Sequence, residues 1–230
     1  MKKICFINGT TVVGGGPLNL LQLLESLDKK EWEPVICSYD DGPYWNKFKN
    51  LTTKAYSIPL RKLSLSSWLK LRSILNKEKP DLIHTHGKGP GLYGRIAGWL
   101  FRIPVIHSFH GFHYYDLPPF KRRFHLLVEN ILALLTPHHI LSCRGERNKA
   151  RIIRLLKDRK INIIHNGLRL TKFKELKPDK RKTLASLGLE SWENTMLVGA
   201  MSRISPEKGI LNLIHGFAHA LETCSHLRLA

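Results

Sequence analysis

At 230 residues, 43% hydrophobic and 24% charged, the chain has room for one large domain or for one domain and part of another, and its composition excludes a disordered or low-complexity protein. Its net charge of +19 suits either a solvated basic face or an anionic partner, whether a membrane surface, a phosphorylated substrate or nucleic acid, and charge alone does not choose among these. The four cysteines, Cys5, Cys37, Cys143 and Cys224, stand far apart with no C-x-x-C pair, which argues against a disulfide framework or a cysteine zinc site and predicts core thiols.

The opening "MKKICFINGT" has an apolar run too short for a secretory leader and predicts the first strand, Lys3–Asn8. Gly14, Gly15, Gly16 and Pro17 then open a helix, Gly16–Leu27, whose leucines at 20, 21, 23, 24 and 27 keep a helical spacing. Glycines before a helix let a ligand approach free backbone N–H groups, which favours an anion; a plain tight turn is the alternative. The loop is not G-x-G-x-x-G, and Asp40 and Asp41 lie beyond the second strand, Pro34–Ser38, so a nicotinamide nucleotide is disfavoured.

A strand at Lys54–Ile58 and a helix at Ser66–Lys77 follow, then Pro80 and a strand at Leu82–Thr85 that runs into "HTHG". Strand alternation sends His84 and His86 to one side and Thr85 to the other. The next helix, Gly89–Phe101, lies in the most apolar stretch, "GLYGRIAGWLFRIPVI", but Arg95 and Arg102 interrupt it, and no apolar run is long enough to span a bilayer. A cytoplasmic chain is therefore expected. Strand Val105–Phe109 leads into "HSFHGFH", with His107, His110 and His113. Five histidines at two neighbouring strand ends suggest a site. Zinc is disfavoured, because no cysteine is near and Asp116 is the one acidic candidate; a neutral or cationic imidazole that binds phosphate or hydroxyl groups is preferred.

Helix Pro119–Leu135, "KRRFHLLVENILALL" after its first turn, is cationic at its start and apolar after, and suits either a packed core helix or one lying at a membrane interface. Strand His139–Ser142, helix Gly145–Leu156 and strand Ile161–His165 end at Asn166-Gly167. Strands alternating with helices predict an α/β fold: a doubly wound, Rossmann-like parallel sheet with ligands at its C-terminal edge. From Arg144 to Lys182, fifteen Lys/Arg face four Asp/Glu, a local +11, and the part from Arg169 reads as a linker with a short helix. A strand at Thr195–Ala200, the loop "RISPEKG", a helix from Gly209 to about Leu221 and the start of a strand at "LRLA" follow. Arg203 and Lys208 at a helix N-terminus suit a diphosphate.

Five motifs, "GGGPLNLL", "KPDLIHTHG", "VIHSFHGFH", "IIHNGL" and "VGAMSRISPEKGI", recur in this order across nearly the whole chain. With them the sequence resembles the N-terminal part of a family 4 (group 1) glycosyltransferase of the GT-B fold, built from two Rossmann-like domains. The resemblance implies transfer of a sugar from a nucleotide-diphospho-sugar to a glycan or lipid-linked acceptor, with retention of configuration and with neither metal nor cofactor. It assigns His110 to the transferred sugar near the reaction centre, and Gly14, Gly15, Gly16, His86, Asn166 and Gly167 to substrate binding. Arg203 and Lys208 would neutralise the departing diphosphate, whose charge grows in the transition state. The expected organisation is an acceptor-side domain at 1–170, a linker at 171–194 and an incomplete donor-side Rossmann-like domain at 195–230, without the E-x7-E motif of that domain and so without turnover. The alternative is a non-catalytic relic or partner subunit that binds an anionic lipid or a nucleotide. An anionic membrane surface is an expected partner, at the inner face of the membrane. Nucleic acid is not, since no recognition helix, zinc finger or RNP pattern occurs and the basic run lacks interleaved aromatics.

Overall fold

A computed structural model describes residues 1–112, 117–156, 161–168, 170–175, 179–186, 188, 196–202, 204 and 206–229. The chain divides into two compact units, Met1–Leu168 and Arg169–Ala230.

The first unit is built on strands β1 (Lys2–Asn8), β2 (Trp32–Ser38), β3 (Ala55–Ser57), β4 (Leu82–His86), β5 (Val105–Ser108), β6 (His138–Leu141) and β7 (Ile161–Ile163). They form one sheet in the order β3-β2-β1-β4-β5-β6-β7, with every neighbouring pair parallel. The connecting helices are α1 (Gly15–Ser26), α2 (Tyr44–Lys49), α3 (Leu65–Glu78), α4 (Lys88–Phe101), α5 (Pro119–Leu134) and α6 (Arg144–Ile152). The chain builds outward from β1 to β3, returns through α3, and builds the other way from β4. Strand order therefore reverses between β1 and β4, where such sheets open a crevice at their C-terminal edge.

Residue parity along the strands decides the layers. Ile4, Phe6 and Ile36 face α1 and α2, packing on Leu20, Leu24 and Phe48. Cys5, Ile7, Val35, Cys37 and Ile83 face the opposite way, onto Leu71, Leu75 and Tyr93 of α3 and α4. Covered on both faces, β1 and β2 are buried without alternation, as parallel strands require. Cys5 and Cys37 are buried free thiols, as expected, with their sulfurs 3.9 Å apart. A third cluster, including Phe109, Phe112, Ala133, Leu141 and Ala150, lies beneath α5 and α6. The short helix α2 is not expected from the sequence: at six residues it is too brief to display a period.

Helix α4 carries a seam of small residues toward the sheet. A Cβ on Gly94 would collide with Thr85 Cγ2, and one on Gly98 with Val105 Cγ2, so glycine sets how closely α4 approaches β4 and β5. Gly98→Ala is expected to destabilise the domain by about 1–3 kcal/mol, because the collision lies against a packed strand. Urea unfolding measures this; an unchanged midpoint would contradict it.

In the second unit, α7 (Leu170–Glu175) and α8 (Lys180–Ser186) precede strand β8 (Met196–Val198). A 3-10 turn at Pro206–Lys208, helix α9 (Ile210–Leu221) and strand β9 (Leu227–Leu229) follow. β8 and β9 pair in parallel, Met196 opposite Leu227, so this is a strand–helix–strand unit of the kind expected.

Candidate active site

The loops at the C-terminal edge of the first sheet are held by a carboxylate that the sequence does not single out for this task. Asp41, beyond β2, accepts hydrogen bonds from Thr10 Oγ1 (2.7 Å), Thr11 N (2.6 Å) and Thr11 Oγ1 (3.2 Å). Burial pushes its pKa up, but these donors outweigh burial and hold it below the usual value. Beside it, a Cβ on Gly42 would strike the backbone of Thr11, so the two loops touch main chain to main chain. The loop that leads to the glycines is fixed in this way.

Gly14 is the N-cap of α1 and supplies no side-chain cap, and the first turn carries no acidic residue. The N–H groups of Gly15 and Gly16 therefore open the helix without a carboxylate competing for them. The helix begins at Gly15, inside the expected glycine loop. Gly16 lies against His110: a Cβ there would stand 3.5 Å from His110 Cδ2.

His84 and His86 point to the same side of β4, as alternation predicts, with ring centroids 4.3 Å apart. His84 Nε2 lies 2.8 Å from Ser108 Oγ, and His86 Nδ1 lies 3.0 Å from His110 Nε2. The rings of His86 and His110 stack at 5.3 Å, inclined by 12°. His107 is not part of this group. It points through the sheet to the other face, where its Nδ1 is 2.7 Å from Thr85 Oγ1 and its ring packs against Gly91 of α4. The expected five-histidine site is thus a three-histidine cluster with one structural histidine behind it; His113 lies outside the described residues, as does Asp116.

Burial, not charge, governs the cluster. It lowers the pKa of His84 to about 4, with His110 adding a smaller push, and it lowers His86 further than that of an exposed imidazole by a wide margin. Burial also lowers His110, against a small opposing pull from Glu146. Lowered in this way by burial, all three rings favour the neutral imidazole form at neutral pH. Among the described residues no group of three His, Cys, Asp or Glu is placed to hold a metal ion.

A cavity of about 120 Å³ opens beside the cluster, lined by His84, Ser108, His110, Ser142, Asn19 and Asn166, among others. Asn166 is brought there by a 3.0 Å hydrogen bond to its Oδ1 from Asn19 Nδ2 of α1. Gly16, His86, His110 and Asn166 are thereby gathered at one edge. Gly167 follows Asn166 as an exposed residue with open space around it. Lys208 belongs to the second unit, exposed at the turn before α9. Arg203 lies outside the described residues.

The sequence profile of Glycosyltransferase Family 4 matches residues 13–172. The chain belongs to Glycosyltransferase Family 4. It is 28% identical over 233 residues to the UDP-Gal:alpha-D-GlcNAc-diphosphoundecaprenol alpha-1,3-galactosyltransferase of Escherichia coli, covering 96% of this chain and 58% of that protein. It is 27% identical over 231 residues to the capsular polysaccharide biosynthesis glycosyltransferase CapM of Staphylococcus aureus, covering 94% and 58%. The chain thus spans less than two thirds of the length of these relatives. Among solved structures it resembles a glycosyltransferase from Rickettsia africae (TM-score 0.71, 16% identity, 100% of this chain and 67% of that one). It also resembles Anabaena HepE in complex with UDP (TM-score 0.70, 16% identity, 100% and 68%). The fold is the Rossmann-like fold of GT-B glycosyltransferases.

Within this family 4 domain, Ser108 and Asn19 join the site although the motifs do not single them out. Ser108 could have been found, since it sits opposite His86 once β4 and β5 are paired in register. Asn19 has no such signal, because its partner is 147 positions away.

The neutral histidines also couple folding to pH. In the unfolded chain they titrate near 6.5, so between 6.5 and their lower folded values the unfolded state binds more protons, and stability rises with pH. The stabilisation is complete above the unfolded value and is lost as pH falls from 6.5 toward 4. For His84 alone, 6.5 to about 4 corresponds to about 3 kcal/mol. Urea midpoints should fall across this window, and fall less in His84→Asn. Equal midpoints at its two ends would contradict the neutral cluster.

Proposed function

We propose that the first unit is the acceptor-side half of a retaining glycosyltransferase, which moves a sugar from a nucleotide-diphospho-sugar to a glycan or lipid-linked acceptor. The observation that carries this is a neutral His110 beside Gly16, where α1 begins, at the crevice of a family 4 domain. The tautomers follow from burial. Among the described residues His86 Nε2 is buried without a hydrogen-bond partner, and an orphan lone pair is milder than an orphan N–H. His86 then carries its proton on Nδ1 and donates it to His110 Nε2. His110 is left with its proton on Nδ1, a donor for a hydroxyl of the transferred sugar. The N–H groups of Gly15 and Gly16 favour donor phosphate, and Arg203 and Lys208 the departing diphosphate.

The E. coli relative acts on a diphosphoundecaprenol-linked sugar, which supports a polyprenyl-diphosphate-linked acceptor at a membrane surface. No helix among the described residues is long and apolar enough to cross one. Because the match covers 58% of each relative, turnover is proposed for a chain that carries a whole donor side and not for these 230 residues alone. The test of the reaction type joins these residues to the C-terminal part of the E. coli relative. Product configuration is read by NMR, and rate is read with and without a chelator. Retention and a chelator-insensitive rate are expected. An inverted product, or a rate abolished by chelation, would overturn the mechanism. Binding of a nucleotide or lipid with no transfer by the joined chain would favour the non-catalytic subunit instead.

A further inference from the structure

Helix α5 has two apolar faces. One packs inward through Leu132 and Ala133, with Glu129 between them and α4. The other points away from the sheet and is formed by Phe120, Phe124, Leu127, Ile131 and Leu134, at spacings of four, three, four and three. Each is more than half exposed, Phe120 by 84%. An outward apolar stripe of this regularity is not required by the fold, since the core beneath is already filled from the other face. Around the helix, Lys121 borders one edge of the stripe and Arg123 the other.

The charge around the stripe is one-sided. Across α3, α4 and α5 the only acidic residues are Glu78 and Glu129, both buried. Glu129 is paired with Arg95, and Glu78 with Lys3 and Lys54. Lys70, Arg72, Lys77, Lys88, Lys121 and Arg123 are exposed on the same three helices, so the exposed charge of these three helices is positive only. The neighbouring helix α4 adds exposed Trp99 and Leu100 at its end. Between α3 and α4 runs an apolar groove lined by Leu63, Leu65, Leu92 and Ile96, among others.

We infer that the outer face of α5, with the ends of α3 and α4 beside it, is a docking surface for an anionic lipid bilayer. The helix lies in the plane of the membrane, its phenylalanines, leucines and isoleucine at the acyl boundary, while Lys121 and Arg123 extend to the headgroups. The one-sided charge selects this occupant over a second copy of the chain, because two such faces would bring only like charges together. The surface deepens the lipid-linked acceptor reading, and vesicles free of any acceptor lipid test it apart from sugar transfer.

The experiment is co-sedimentation of the 230-residue chain with vesicles of phosphatidylglycerol and phosphatidylethanolamine, or of phosphatidylcholine alone, at low and high salt. The variants are Phe124→Gln/Ile131→Gln and Lys121→Gln/Arg123→Gln. Lys29→Gln/Lys30→Gln removes the same charge from the loop after α1, on the other side of the sheet. Both faces of α5 being distinct, the exposed substitutions leave circular dichroism unchanged. The expected result is salt-weakened binding to anionic vesicles, reduced at least about tenfold in both α5 variants and little changed in the lysine control. If wild type binds and Phe124→Gln/Ile131→Gln binds equally well, this face is wrong while membrane binding stands. If wild type binds neither vesicle, or binds both equally, the membrane surface fails and the sugar-transfer reading is untouched. If wild type is a dimer that the apolar variant dissociates, with no vesicle binding, the stripe is a seam between copies and the inference is overturned.

Discussion

His110→Ala is expected to lower kcat by roughly 100- to 1000-fold in a chain that carries a whole donor side, while donor affinity changes by no more than about twofold. The reason is location. His110 belongs to the first unit and is proposed to contact the sugar as it moves, whereas the nucleotide is proposed to be held by the second. In that proposed role its hydrogen bond would matter most when charge shifts at the sugar, so its loss would raise the barrier more than it weakens the ground state. His110→Gln, which keeps an N–H donor, should recover part of the rate. His86→Ala should act through His110, lowering kcat less, because it removes the ring that stacks on His110 and orients it. Lys208→Ala should behave differently, weakening donor binding and slowing transfer together. A charge-assisted contact of that kind is worth about 1.5–3 kcal/mol, or about 10- to 150-fold. Steady-state kinetics with donor and acceptor varied separately distinguishes the two patterns. Equal losses of donor affinity in His110→Ala and Lys208→Ala would contradict the division of labour.

The second large effect lies away from the site. Arg95 is fully buried in α4; its Nη2 is 2.8 Å from Glu129 Oε2 of α5, and its Nε is 2.9 Å from the carbonyl of Gly91. Its Nη1 has no hydrogen-bond partner among the described residues, so the guanidinium depends on Glu129 for most of its compensation. Glu129→Ala is expected to destabilise the first unit by about 3–5 kcal/mol, since it leaves a buried charge unpaired. Against a total of about 5–15 kcal/mol for a domain, that is a large share. Replacing both partners, Arg95→Met with Glu129→Leu, should restore most of the loss, because the desolvation of both charges disappears with them. Denaturant unfolding of the two single variants and the double variant measures the coupling. A Glu129→Ala midpoint close to wild type would show that water or another group compensates Arg95.

Much of this arrangement is legible in the sequence. Apolar runs bounded by Pro80, Pro104 and Asn166-Gly167 mark β4, β5 and the end of β7, because parallel strands buried on both faces must be apolar and must end in turns. The shared side of His84 and His86 follows from the pleat alone. The separation of His107 from His110 does not: it depends on where β5 ends, and one residue of extended chain decides which side a ring takes. Arg95 reads in the sequence as an interruption of an apolar stretch. Its burial becomes intelligible only with Glu129, 34 positions later, on a neighbouring helix. Helix α5 shows its apolar character plainly, yet periodicity cannot tell which of two apolar arcs meets the sheet. Asp41 is visible as an acid beyond β2, but its partners Thr10 and Thr11 approach through the tertiary fold.

The central claim is that this chain supplies the acceptor half of a sugar transfer from a nucleotide-diphospho-sugar. The most direct measurement is movement of labelled sugar from a panel of such donors to a polyprenyl-diphosphate-linked acceptor. The catalyst is these residues joined to the C-terminal part of the E. coli relative, with that C-terminal part alone as the control. The account predicts label in the lipid fraction only with the joined chain, and its loss in His110→Ala. Label transferred equally well by the C-terminal part alone, or by His110→Ala, would contradict it.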